Sequence, residues 1–307
     1  MSIPLSGQTV DLEHGGYTAS LASIGASLRS LRFEGRDLVV PFDADEVRPA
    51  FRGATLVPWP NRIADGRYTF DGEEFQVDLS EPGRGNALHG FGAWLDFAVS
   101  QQTASSVRLS ATVEARSGFP FRLLIDVDFW LDDSGLHQRV TATNTGSRPA
   151  PYGTGPHPYL VAGPGRVSDW SLELPAAEVL EVTDDRLLPT GLADVAVSGD
   201  GVFDFRAPRV IESTFIDHAF TGLSRDADGV ATVRVVTDAG TGVSMTWGSE
   251  LPWVQIHTAD QPDPEFDRLG LAVEPMTCPP DAFNSGTNLI VIEPGAQSSA
   301  EWTISAI

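Results

Sequence analysis

The sequence holds one cysteine, Cys278, and its 20 basic residues face 42 acidic ones. A single thiol cannot form an internal disulfide, which fits a reducing compartment. Cys278 stands four residues from Glu274, but a lone cysteine is expected to pack as a small apolar side chain rather than to act as a nucleophile. A formal charge of −22 repels phosphate backbones and anionic lipid surfaces, so neither nucleic acid nor membrane is expected as a partner. No apolar run is long enough to span a bilayer, and the opening MSIPLSGQTVDLEHGG has neither the basic start nor the apolar stretch of a signal peptide. A cytoplasmic protein is expected. The sequence lacks a phosphate loop, a Gly-x-Ser-x-Gly elbow and the short histidine or cysteine spacing of a zinc site, so no metal is expected. It also lacks a convincing helix, an internal repeat and a linker-like shift in composition, so residues 1–307 read as one domain.

What is present is alternation. Residues 17–34, 106–115, 121–131 and 136–144 alternate apolar and polar side chains, the pattern of a large antiparallel sheet system, and further strands are read at 230–237, 242–247 and 253–258. Residues 36–42 read as a short buried strand, and 288–293 and 300–305 as a C-terminal pair joined by PGAQSS. Asp71-Gly72 between RYTF and EEFQV is a two-residue hairpin signal, which pairs the strands from Arg67 to Val77. Residues 170–212 carry acidic turns and little periodicity.

Against that frame a few residues are chemically loaded. Glu274 follows an apolar run and precedes Pro275, so it is held extended as the last residue of a strand. A carboxylate fixed at the mouth of an apolar sheet is a candidate general base; the competing reading is a surface Glu ending an edge strand. His157, between Pro156 and Pro158, is likewise denied the helical basin. It can exchange protons near neutral pH. Trp59 is pinned between Pro58 and Pro60 and followed by Asn61 and Arg62. A rigid aromatic beside a forked cation and an amide suits a sugar, although the Trp could instead plug the end of a barrel or sandwich. His89 lies in a Gly-rich stretch that permits close backbone approach. Asp217 sits among apolar neighbours, where a charge needs a partner or a ligand.

Taken in order, NRI at 61–63, LHG at 88–90, GPHPY at 155–159, IDHAF at 216–220 and LAVEPMTCPPDAFN at 271–284 resemble the motifs of the aldose 1-epimerases, the galactose mutarotases and their relatives. The resemblance runs from about residue 17 to the C-terminus, and His-Pro-Tyr and Glu-Pro-x-x-x-Pro-Asp-Ala-x-Asn are its most specific parts. It implies an all-β, large antiparallel β-sandwich with an open cleft, acting on a small-molecule sugar as monomer or homodimer without a cofactor. Position by position it makes Glu274 the general base and His157 the general acid; for the reaction itself, a carboxylate and an imidazolium on opposite sides of the sugar's C1–O5 unit suffice. Arg62, His89 and Asp217 would hold the sugar. The chain departs from the family where LVAG follows HPY and FGAW follows HG. Both departures border the sugar, so they bear on sugar preference more than on chemistry. Alternatives are a hexose-6-phosphate 1-epimerase using Arg52, Arg67 or Arg84 for the phosphate, a non-catalytic sugar-binding module, and a glycoside hydrolase or lyase.

Overall fold

The computed structural model describes residues 3–307. It is an assembly of antiparallel sheets with, among the described residues, one four-residue α-helix, Ala282–Ser285, and four 3₁₀ turns. The largest sheet has nine strands in the order Ala98–Gln102, Ser106–Val113, Leu123–Asp132, Gly135–Asn144, Gln297–Ala306, Gly242–Trp247, Ala231–Val236, Ser171–Glu173 and Arg209–Val210. Its central strands bury every second residue, as Leu123, Ile125, Val127, Phe129 and Leu131 show. This is what a period-2 sequence does when one sheet face meets the core and the other meets water. The expected hairpin is present, with Arg67–Phe70 paired to Glu73–Gln76. Asp71 and Gly72 both adopt positive φ, 52° and 77°, as a tight hairpin turn requires.

A six-stranded sheet carries the chemistry. Its order is Tyr159–Leu160, Leu271–Met276, Trp253–His257, Asp217–Leu223, Ala176–Val182 and Pro189–Asp194. One face sends Leu271, Val273, Val254, Ile256 and Phe220 into the main core. Alternation must then direct Glu274, Gln255, His257 and Asp217 to the opposite face. The register agrees: Glu274 lies opposite Gln255, and His257 opposite Asp217.

Three sequence expectations change. Glu274 does not end its strand, which continues through Pro275 to Met276. Proline is accommodated because the Tyr159–Leu160 neighbour pairs only as far as Ala272, leaving the strand an edge on that side. The C-terminal segments do not pair with each other: Ile290–Ile292 joins Ala150–Tyr152, while Gln297–Ala306 enters the middle of the nine-stranded sheet. Finally, Ala176–Val182, within the stretch without visible period, is an integral strand of the six-stranded sheet.

Candidate active site

A cleft of about 280 Å³ opens on the polar face of the six-stranded sheet. Of the residues singled out by sequence, Glu274, His157, His89, Asn61, Arg62 and Asp217 line it. They come from separate parts of the chain, and each is positioned differently. Glu274 stands on the Leu271–Met276 strand, opposite Gln255, and is 2 % exposed. His157 precedes the Tyr159–Leu160 strand; its backbone N–H donates to the Ala54 carbonyl, and its own carbonyl accepts from Gly53 N–H. His157 Nε2 lies 3.4 Å from Glu274 Oε1. The pair therefore stands side by side rather than on opposite sides of a sugar, which corrects the arrangement expected from sequence.

Burial dominates the protonation of both. It pushes the Glu274 carboxyl well above the ordinary carboxylate range, with the Asp217 charge adding to the effect and Arg62 opposing it. It pulls the His157 imidazole down to about 3, and the charges of His257, Arg48 and Arg62 act in the same direction. Glu274 Oε2 and His157 Nδ1 are buried without hydrogen-bond partners, as are Gln255 Oε1 and His257 Nδ1. Buried polar atoms normally have partners; all four of these belong to residues that line the cleft.

His89 and Asn61 form a reciprocal clamp. Both adopt positive φ, 61° and 55°. His89 N–H donates to the Asn61 carbonyl (2.8 Å), and Asn61 N–H donates to His89 Nδ1 (3.1 Å). A backbone N–H can only donate, so Nδ1 accepts and the neutral ring carries its proton on Nε2. The next residue must be glycine: a Cβ at Gly90 would lie 2.1 Å from the Val57 carbonyl oxygen. Burial, with cationic neighbours adding to it, keeps His89 well below the ordinary histidine value. The ring is thus a fixed N–H donor.

That tautomer bears on metal binding. His89, His157 and Glu274 place one ligand atom each within 4.8 Å of one another. A metal-binding histidine normally donates its second ring N–H to an acceptor, whereas His89 Nδ1 is itself an acceptor. The donor set fits a proton-exchange site better than a metal.

Arg62 is held by a residue that sequence reasoning missed. Its Nε and Nη2 donate to the two carboxylate oxygens of Glu81 at 2.9 and 3.0 Å, and its Nη1 donates to Asn61 Oδ1 at 3.3 Å. Burial alone would raise the Glu81 carboxyl, but hydrogen bonds from Arg62 and Asn86 and the charges of Arg62 and Arg84 bring it below its ordinary value. Asp217 accepts from Gln255 Nε2 at 2.7 Å and faces His257 at 3.9 Å. Gln255 and His257 were also overlooked. Their signal was two polar side chains at alternate positions of an otherwise apolar strand.

Trp59 is not in the cleft. It is 2 % exposed and packs against Phe91, Phe119 and Phe283, with centroids 4.9 to 6.4 Å away. The bracketing prolines fix it as a core plug, the alternative left open by its sequence. The aromatic rings of the cleft are instead Phe51, whose centroid is 4.7 Å from that of His89, Tyr159, stacked on His157 at 5.2 Å, and Phe215. Cys278 is buried, and its thiol is pushed up to about 12 by burial. An unreactive packed thiol results.

Comparison with known proteins agrees with this picture. The family model for aldose 1-epimerase matches residues 8–305. An uncharacterized protein of Escherichia coli K12, YihR, is 38 % identical over 94 % of this chain and 90 % of its own length. The aldose 1-epimerase of the same organism is 29 % identical over 88 % of this chain and 83 % of its own. Among solved structures, the GalM/aldose epimerase homologue of C. elegans superposes with a TM-score of 0.84 at 23 % identity, covering 98 % of this chain and 99 % of that one. With the all-β architecture on one side and a match along nearly the whole chain on the other, the protein belongs to the aldose 1-epimerase family.

Proposed function

We propose that this protein interconverts the α and β anomers of a free aldohexose of the glucose or galactose type, with Glu274 as general base and His157 as general acid. One observation carries the proposal: a carboxyl and an imidazole from distant parts of the chain lie 3.4 Å apart, both buried, each with an orphaned polar atom. The anomeric hydroxyl and the ring oxygen share one carbon, so two groups standing side by side reach one oxygen each.

The reaction follows from proton positions. The Glu274 carboxylate takes the proton of the C1 hydroxyl while the C1–O5 bond breaks, its electron pair going to O5, which takes a proton from His157. C1 becomes an aldehyde carbon. After rotation about the C1–C2 bond, the O5 hydroxyl returns its proton to His157 as O5 attacks the other face of C1. The new anomeric oxygen takes its proton from Glu274. Acid and base each contribute on the order of 10²–10⁴ in rate. The pair must carry one proton between its two members. Burial favours the form in which neither is charged, and hydrogen bonds from sugar hydroxyls favour the charge-separated one.

His89 Nε2–H, the Arg62 guanidinium, the Asn61 amide and the Asp217–Gln255–His257 row would hold the remaining hydroxyls, keeping the open chain from drifting before it recloses. A phosphorylated substrate has less support, because Arg62 and Arg84, the guanidiniums lining the cleft, both bind Glu81. Polarimetry or NMR exchange with freshly dissolved α-D-glucose and α-D-galactose tests the reading. Acceleration over buffer supports it, and none for either sugar contradicts it.

A further inference from the structure

Arg48 stands behind the cleft rather than in it: its side chain is 5 % exposed and does not line the cleft. Nη1 donates to the Ile24 carbonyl at 3.1 Å and to Ser27 Oγ at 2.7 Å, and Nη2 donates to the Ala93 carbonyl. Nε is buried without a partner. Arg62 and Arg268, about as deeply buried, each grip a carboxylate, of Glu81 and Asp260; Arg48 has neutral acceptors in that place. Burial pulls its guanidinium down to about 10, with no acid offsetting the pull, so it is still charged at neutral pH. A buried charge held by neutral acceptors is expensive. The contacts lead from this charge to the proposed acid. The guanidinium carbon is 4.7 Å from the Trp94 ring centroid. Trp94 meets Phe51 edge-on at 5.8 Å, and Phe51 lies 4.7 Å from His89 and 6.2 Å from His157. Aromatic rings screen a charge poorly, so its field carries across them. The turn between Arg48 and Phe51 holds Ala50 and Phe51 at φ 45° and 56°, strain that persists only where neighbours over-determine it.

We propose that Arg48 is a positioning residue that touches no sugar: its unpaired charge, delivered through Trp94 and Phe51, makes His157 the readier proton donor. The groups facing His157 are Glu274 at 3.4 Å and the rings of His89 and Tyr159 at 5.0 and 5.2 Å. His257, Arg48 and Arg62 act on it as charges. Arg62 is bound to Glu81, and His257 faces Asp217 at 3.9 Å; Arg48 is the cation of this set with no acid beside it. Its role rests on the epimerase reading above. When the ring opens, His157 gives its proton to O5 and Glu274 takes that of the C1 hydroxyl. With the aldehyde in the site both groups are therefore uncharged. A fixed cation near the imidazole favours that state over the one in which the imidazole is also a cation, and so lowers the climb to the open chain from either anomer.

The test compares Arg48→Met, which removes the charge at similar length, with Arg48→Lys, which keeps the charge and loses the fork. Two quantities are read: kcat and KM for anomer exchange of α-D-glucose and α-D-galactose, and the NMR titration of the His157 ring in the free protein. Arg48→Met should lower kcat by on the order of threefold to tenfold, the scale of one pKa unit in a general acid, with KM within about twofold. Its His157 ring should also begin to take up a proton at higher pH than in wild type, by on the order of one unit. Arg48→Lys should restore both kcat and the wild-type titration, even with a lower melting temperature. Should Arg48→Met not fold, Arg48→Gln, which keeps an N–H donor without the charge, takes its place under the same expectations. The proposal is overturned if the folded neutral variant keeps the wild-type kcat and His157 titration, or if Arg48→Lys restores neither. Should the wild type exchange no sugar, the epimerase reading falls, and the ring titration still decides whether the charge of Arg48 acts on His157.

Discussion

Glu274 Oε1 and His157 Nε2 lie 3.4 Å apart although 117 positions separate the two residues in sequence, and neither side chain is more than 6 % exposed. Nothing local in the chain requires them to meet. They meet because His157 leads into the Tyr159–Leu160 strand, which pairs with the Leu271–Met276 strand that carries Glu274.

Holding the carboxyl dry has a consequence for stability. The folded value of Glu274 is raised by burial, so its contribution is complete below the unfolded carboxyl value, about 4.3, and is lost as pH rises through the folded one. Glu274→Gln, nearly isosteric and never charged, should therefore raise the melting temperature at pH 7, by roughly 2–4 °C for each kcal/mol recovered. The gap should close near pH 4. Thermal scans at both pH values check this; a variant less stable than wild type at pH 7 contradicts it.

His157 should behave oppositely to a surface histidine. Burial depresses its folded value to about 3, so the free protein should keep this ring neutral as pH falls from 8 to 5. Its stability contribution is present above the unfolded value, about 6.5, and is lost as pH falls toward 3. NMR of the ring, assigned by comparison with His157→Gln, reads this directly. A His157 titration centred near 6.5 would disprove the burial argument.

Glu81 holds Arg62, and both side chains are largely buried, 13 % and 8 % exposed. Removing one partner of such a pair leaves an uncompensated charge and costs about 3–5 kcal/mol. Glu81→Ala should thus lose several degrees of melting temperature, and it should raise KM because the Arg62 fork is no longer aimed. An unchanged KM in a folded variant would remove Arg62 from sugar binding.

Trp59→Phe separates packing from recognition. With the indole among Phe91, Phe119 and Phe283, the substitution should cost stability, on the order of 1–3 kcal/mol for an underfilled core site, and leave KM within about twofold. A raised KM at unchanged stability would return Trp59 to the cleft.

How far the sequence reveals this site can be traced residue by residue. Period-2 alternation exposes the central strands of the nine-stranded sheet, because one of its faces meets water and writes a polar residue at every second position, but not Ala98–Gln102, Ser171–Glu173 or Arg209–Val210. Every residue of Leu271–Met276 is buried, the floor of the cleft included, so that strand shows no alternation. Ala176–Val182 was hidden because its burial is irregular. Glu274 and His157 stand out because proline follows each of them. Glu81, Gln255 and His257 do not, since their importance is the company they keep across strands. Trp59 misled for a physical reason: a proline-bracketed indole is equally suited to stacking on a sugar and to filling a core.

The most direct measurement is anomer exchange of α-D-glucose and α-D-galactose by wild type and Glu274→Gln at equal concentration, with sugar affinity measured in parallel. The account expects wild type to accelerate at least one sugar and the variant to bind it with exchange reduced by on the order of 10²–10⁴. Exchange by Glu274→Gln at the wild-type rate would contradict it.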